Sequence, residues 1–169
     1  FSMVFQKQGD GTWSIVSASE TPFVDSERLD HLKPLAWLIG DWAVEKGGNS
    51  MVVKIEWAAN KKFIHLRYMI KKAGSEELDS QQIIGWDPRR QQIVSWIFDS
   101  RGGFGSGTWS RRDNLWLVDS EGVDPEGRAT AATNIISNKS ASSFSWQSVN
   151  RSIEGESLSD TAPLTINRR

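Results

Sequence analysis

From residue 40 onward, apolar and polar positions alternate along the chain. In 51–57, Met51, Val53, Ile55 and Trp57 fall on one face while Lys54 and Glu56 take the other. In 62–71, Ile64, Leu66, Tyr68 and Ile70 oppose Phe63, His65, Arg67 and Met69. A period of two places successive side chains on opposite faces of a strand, so the pattern predicts a sheet with one buried face. Turn-forming clusters interrupt it at intervals of about ten residues. They are Lys46-Gly47-Gly48-Asn49, Ala59-Asn60-Lys61, Ala73-Gly74-Ser75 and Asp87-Pro88-Arg89-Arg90, then Ser100-Arg101-Gly102-Gly103, Arg112-Asp113-Asn114, Asp124-Pro125-Glu126-Gly127 and Ser137-Asn138-Lys139-Ser140. The segments between are rich in Val, Ile, Trp, Phe and Thr, which suit strands. About ten strands are predicted, near 41–46, 51–58, 62–71, 81–87, 91–98, 103–110, 114–121, 128–136, 143–150 and 162–168.

Consecutive strands joined by short turns form either a sandwich or a closed up-and-down barrel. Closure removes both edges, and hairpin-length connections throughout favour it. The expected fold is therefore all-β, an antiparallel up-and-down barrel of about ten strands with two additions. One is a short N-terminal helix or 3-10 segment. Asp25 or Ser26 caps it, and Leu29, Leu32, Leu35 and Ala36 recur at helical spacing before Trp37-Leu38-Ile39, with Pro34 limiting its regularity. It is expected to plug one barrel mouth. The other is a β-hairpin in residues 1–19, where Phe1–Phe5 and Trp13–Ser17 flank Gly9-Asp10-Gly11. An isolated hairpin is not stable in water, so it is expected to pair with something. Residues 20–27 read as a linker, and 28–169 as the barrel.

Composition adds one unusual feature: nine tryptophans against one tyrosine. Indole brings a large apolar area and one N–H donor, which suits an aromatic-rich core or an aromatic-lined pocket. Charge is balanced, with 10 basic and 11 acidic side chains in 1–85 and 10 of each in 86–169. The basic pairs Lys61-Lys62, Lys71-Lys72, Arg89-Arg90 and Arg111-Arg112 fall at strand ends, as solvated turn residues do. Nothing supplies the basic face a nucleic-acid partner needs. With no cysteine, disulfides and thiolate ligands are excluded. No apolar run reaches the ~20 residues of a membrane helix. The compartment stays open, cytoplasmic or exported, and the start at Phe1 in mid-strand character reads as a fragment or processed product.

Leu35-Ala36-Trp37-Leu38-Ile39-Gly40-Asp41-Trp42 resembles the entry motif of calycins (lipocalin-like barrels), in which a short helix leads into a Gly-x-Trp on the first strand. The resemblance implies that the Trp closes the barrel floor and that an Arg from the last strands packs across it. Arg151 and Arg168 are the candidates. A broader resemblance covers 28–169, which is similar to the barrel found C-terminal to SnoaL-like (ketosteroid-isomerase-like) domains in bacterial two-domain proteins. It rests on Ile84-Gly85-Trp86-Asp87-Pro88, Ser95-Trp96-Ile97-Phe98-Asp99-Ser100, Gly102–Trp109, Ala132-Thr133-Asn134 and Phe144-Ser145-Trp146-Gln147-Ser148. Residues 1–18 resemble the last hairpin of the preceding cone domain, whose own pocket residues would then be absent.

Candidate chemistry is sparse. His31 and His65 are the only histidines. His31 is expected to be solvated, and no spacing suggests a metal site. Nitrobindin-like haem barrels use a histidine near the chain end, and none follows His65. No cofactor is implied. Asp99, at a strand end beside Trp96 and two residues before Arg101, is either a carboxylate of raised pKa or the initiator of an Asx-type turn. Gly102-Gly103-Phe104-Gly105-Ser106-Gly107 lacks the following helix of a phosphate loop. Its alternate glycines bare one strand face, either for a ring of Trp86, Trp96 or Trp146 or as a cavity wall. Arg67, Asn134, Gln147 and Arg151 need hydrogen-bond partners if they point inward, and Arg67 is expected outside.

Three functions follow. The leading one is a barrel that binds a small hydrophobic or aromatic molecule among Trp57, Tyr68, Trp86, Trp96, Trp109, Asn134 and Trp146. The second is an enzyme of isomerase, lyase or hydrolase type centred on Asp99, His65 or Arg67. The third is a structural companion that dimerises, or docks on a SnoaL-like domain, through residues 1–20. The expected partner is a small apolar molecule rather than nucleic acid or a membrane.

Overall fold

The structure is a computed structural model that describes residues 2–19, 30–59, 61–71, 73 and 78–169. The linker expected over 20–27, the caps Asp25 and Ser26, and Leu29 lie outside the described residues, as do Phe1 and the turn positions Asn60, Gly74 and Ser75. The chain divides into two units, 1–30 and 31–169. In the first, β1 (Ser2–Lys7) and β2 (Trp13–Ser19) pair antiparallel, with a register shift between Val4 and Phe5. Asp10 ties the turn, accepting from both the backbone N–H and the hydroxyl of Thr12. The expected hairpin is present.

The second unit is built from β3 (Gly40–Lys46), β4 (Asn49–Trp57), β5 (Ile64–Lys71), β6 (Leu78–Asp87), β7 (Gln92–Asp99), β8 (Phe104–Arg112), β9 (Leu115–Val123), β10 (Ala129–Ser140), β11 (Ser143–Ile153), β12 (Glu156–Leu158) and β13 (Leu164–Arg168). From β3 to β11 each strand pairs antiparallel with the next. β13 inserts between β11 and β3, which closes a barrel of ten strands. The sandwich alternative is excluded. β12, an extra strand on β11, was not expected. It is joined to β11 by Glu154-Gly155, both at positive φ (53° and 81°), a geometry that matches the twist of a tight hairpin.

No α-helix occurs among the described residues of this unit. The predicted helix is a six-residue 3-10 segment, Lys33–Leu38, with Pro34 in its first turn and no side-chain cap. In a 3-10 helix residues three apart eclipse one another. Leu32, Leu35 and Leu38 accordingly form one buried edge. They pack with Trp42, Ile55, Ile64, Ile84 and Ile166 into a core that fills the end of the barrel where β3 begins.

The alternation read from sequence sets inside and outside. Val53, Ile55, Ile64 and Leu66 are buried within, whereas Lys54 and Glu56 pair at 2.9 Å on the outer surface. Antiparallel order puts the turns after β3, β5, β7 and β9 at the opposite end, where no such plug is present among the described residues.

Candidate functional site

The closed end is locked by one arginine. Arg168 lies over the Trp42 ring, its guanidinium carbon 4.1 Å from the centroid. Its guanidinium donates to the carbonyls of Ile39 (2.9 Å), Ala141 (3.0 Å) and Trp37 (3.2 Å). Gly40 has φ +138°, and a Cβ there would collide with the Arg168 guanidinium, so glycine is required twice over. Trp42 donates its indole N–H to Leu38 O at 2.7 Å and meets Phe144 edge-on. Arg151, the other candidate, bonds Ser159 O instead.

Above this floor the inward side chains do not meet. They enclose a cavity of about 960 Å³ reaching towards the open end, at the upper limit of ordinary small-molecule sites. One wall, from β3, β4, β11 and β13, is apolar, with Val44, Met51, Val53, Trp146, Leu164 and Ile166. The facing wall carries neutral hydrogen-bonding groups on neighbouring strands. The Tyr68 hydroxyl donates to Gln82 Oε1 at 2.7 Å, and Gln82 Nε2 donates to Ser95 Oγ at 3.1 Å. Ser95 Oγ also accepts the Trp109 indole N–H at 3.0 Å. On β9 and β10, Asn134 Nδ2 donates to Ser120 Oγ at 3.0 Å. Among the described residues no buried side-chain nitrogen or oxygen lacks a partner. Burial pushes the Tyr68 phenol well above its ordinary pKa, so it stays protonated.

Lys46, at the rim, is the one charged residue lining this cavity among the described residues. A second hollow of about 480 Å³ adjoins it at the open end, sharing Ile70, Ser80, Ile97, Ser106 and Ser120. Asp99, Arg101, Glu121, Asp124 and Arg151 line that vestibule. Ionisable groups thus gather at the mouth, and neutral ones line the interior.

Of the residues singled out from sequence, Tyr68, Trp109, Asn134 and Trp146 line the cavity. Trp57 and Trp86 pack against the core at the closed end and do not line it. Trp96 lies on the outer face, 42 % exposed, because it alternates along β7 with inward Ser95. His31 is not free in solvent; it stacks flat on Trp86 at 3.8 Å.

The three polar candidates do not converge. His65 and Arg67 have outward parity on β5, while Asp99 pairs with inward Ser80 near the mouth. The Asp99 carboxylate accepts the backbone N–H of Arg101 (2.8 Å) and Gly103 (3.1 Å), which is the Asx-type turn. No tryptophan covers the alternate glycines. A Cβ on Gly107 would meet Val118, Ser95 and Ser120, and one on Gly105 would meet the backbone of Glu121 and Gly122. The ring-over-glycine packing occurs elsewhere, where Phe63 lies on Gly85.

Gln82, Ser95 and Ser120 escaped the sequence reading. Their signal was present as parity: Gln82 is two residues from buried Ile84, and Ser95 two from buried Ile93. No group of three or more His, Asp or Glu that could hold a metal occurs among the described residues. No helix there is long and apolar enough to cross a membrane. No family model matches the sequence, and no curated protein matches it.

Proposed function

We propose that the chain is a binding barrel of calycin-like type, holding a small, mainly apolar molecule in its lumen. One observation carries this reading: a cavity of about 960 Å³ lies beside a well-packed core in the same barrel. Interiors ordinarily close to crystal-like density, and an unfilled apolar volume forfeits dispersion contacts. A ligand that occupies the space recovers them. The calycin-like assignment is supported by Gly40-Asp41-Trp42, the 3-10 segment before it and Arg168 across the Trp42 ring. Kinship with the barrels that follow SnoaL-like domains is part of the same proposal and rests on the stretches quoted above.

The test uses N-phenyl-1-naphthylamine, a neutral apolar fluorophore, titrated into the full chain. Trp109 and Trp146 line the lumen, so saturable binding will quench tryptophan emission and raise probe emission with a blue shift. Trp146→Phe will reduce the quenching amplitude. A probe that stays as dim as in buffer at ~100 µM protein, weaker than most specific pockets allow, would defeat the proposal.

A further inference from the structure

We infer that the lumen selects neutral amphiphiles bearing one hydrogen-bonding oxygen, such as a ketone or alcohol on an apolar body, and excludes their carboxylate counterparts. This rests on the binding role proposed above and specifies its chemistry. The argument begins with what the interior lacks. Below Lys46 no charged side chain among the described residues lines the cavity. An anion drawn into that depth would lose its hydration with no cation to replace it, so it binds only after taking up a proton.

The interior instead offers neutral donors and acceptors with capacity left over. Asn134 uses one amide hydrogen on Ser120. Among the described residues no donor meets its Oδ1 and no acceptor takes its second amide hydrogen, and the side chain lines the lumen. Ser95 Oγ accepts from both Gln82 and Trp109, which leaves its own proton to give. Gly107 lies between these groups: a Cβ there would be 2.8 Å from Val118 Cγ1, 3.1 Å from Ser95 Oγ and 3.4 Å from Ser120 Oγ, so only glycine lets the two serines approach this closely. A carbonyl oxygen in the lumen beside Ser95 or Asn134 accepts from the hydroxyl or the amide, while Val53, Trp146 and Ile166 receive the apolar body across the lumen. A pure hydrocarbon leaves those donors without a partner, and an anion leaves its charge without one.

The experiment displaces N-phenyl-1-naphthylamine with decan-2-one and with decanoate, between pH 6 and pH 8. At pH 8 decan-2-one will compete at concentrations at least ~100-fold below decanoate. Decanoate will improve by about tenfold for each pH unit lowered, because only its protonated form enters and that form gains a decade per unit. Groups near the path do not supply this slope: Tyr68 remains protonated. Lys46 and the vestibule residues Asp99, Arg101, Glu121, Asp124 and Arg151 stand at the mouth. His31 and His65 are outside the lumen, on Trp86 and on the outer face. Asn134→Leu will weaken decan-2-one about tenfold more than it changes probe affinity, and Asn134→Ala gives the same contrast should the leucine disturb folding.

Decanoate that competes as well as the ketone, with no pH dependence, would mean a carboxylate paired at Lys46 and would overturn the inference while leaving the binding role intact. Unchanged decan-2-one affinity in both Asn134 variants would overturn it in the same way. A probe that never binds overturns both readings together.

Discussion

Replacing Arg168 tests whether one side chain holds the barrel shut. The β13–β3 seam is the narrowest in the sheet, with two register pairs, Asn167↔Ala43 and Arg168↔Trp42, against seven between β3 and β4. Arg168 reinforces it from the side by donating to Trp37 O, Ile39 O and Ala141 O, which joins the 3-10 segment, the start of β3 and the β10–β11 turn to the chain end. Hydrogen bonds from a charged donor contribute about 1.5–3 kcal/mol each, but this guanidinium is partly exposed and water takes over some of the freed carbonyls. The face-on contact with Trp42 adds about 0.5–1 kcal/mol at such a site. Together they give a loss of about 2–4 kcal/mol for Arg168→Ala. Arg168→Lys keeps the charge but not the planar fork, and will recover less than half. Urea unfolding followed by tryptophan emission measures both. Gly40→Ala provides the internal control. Its Cβ collides with the Arg168 guanidinium, so its cost will be smaller in an Arg168→Ala background, leaving only the strain of φ +138°. A loss below about 1 kcal/mol for Arg168→Ala, or strict additivity with Gly40→Ala, would refute the lock.

Tyr68 is the only tyrosine, so phenolate absorbance near 295 nm reports it alone. Its folded pKa is raised above the ordinary 10.0 by burial; the stability it contributes is therefore complete below pH 10 and declines as pH rises beyond that. The folded chain will show no phenolate at pH 11, the urea-unfolded chain will, and Tyr68→Phe will flatten the decline by about 1.4 kcal/mol per pH unit. Asp99→Ala removes the acceptor for two loop N–H groups and will cost about 1 kcal/mol, most of it restored by Asp99→Asn; an equal loss in both, by thermal melting, would point to the charge rather than the turn. Ser80→Leu puts an apolar side chain where cavity and vestibule meet, and will add about 1 kcal/mol of stability while weakening probe binding; tighter binding would show that the ligand does not occupy that junction.

The fold was legible in the sequence because period-two patterning and turn chemistry are local signals that agree with the global solution. Eight turn clusters and the alternation in β4 and β5 were enough to identify a closed meander. β12 was missed because Arg151–Leu158 lacks an apolar run, and its hairpin depends on Glu154-Gly155, a weaker turn pair than Asn-Gly. Of the helix or 3-10 segment expected here the 3-10 form is present: Leu32, Leu35 and Leu38 step by three, which Pro34 and the short span resolve as 3-10. The site was legible only in part. Trp109 and Trp146 could be nominated as aromatic, but tryptophan is as useful against a core or on an outer face as in a lumen. Trp86 and Trp96 show both outcomes. Choosing between Arg151 and Arg168 depended on closure, a relation between residues 129 positions apart along the chain.

The unequal filling of the barrel follows from the size of inward residues at each level. At the closed end the inward positions carry Leu35, Leu38, Trp42, Ile64 and Ile84, and there the lumen is solid. Towards the mouth the same parity carries Ser80, Ser95, Gly107 and Ser120, side chains too small to meet across a ten-stranded ring. Folding stability alone would favour larger apolar residues at the three serines, since each would bury more area at little backbone strain. Ser95 and Ser120 are instead joined by hydrogen bonds to Gln82, Trp109 and Asn134, so their polar atoms are held in place rather than scattered. A wall that is both hollow and ordered keeps its shape when nothing is bound, and a ligand entering it loses little free energy to reorganisation. The rigid base supplied by Trp42 and Arg168 serves the same end, because it fixes the registers of β3 and β13 from which the apolar wall rises.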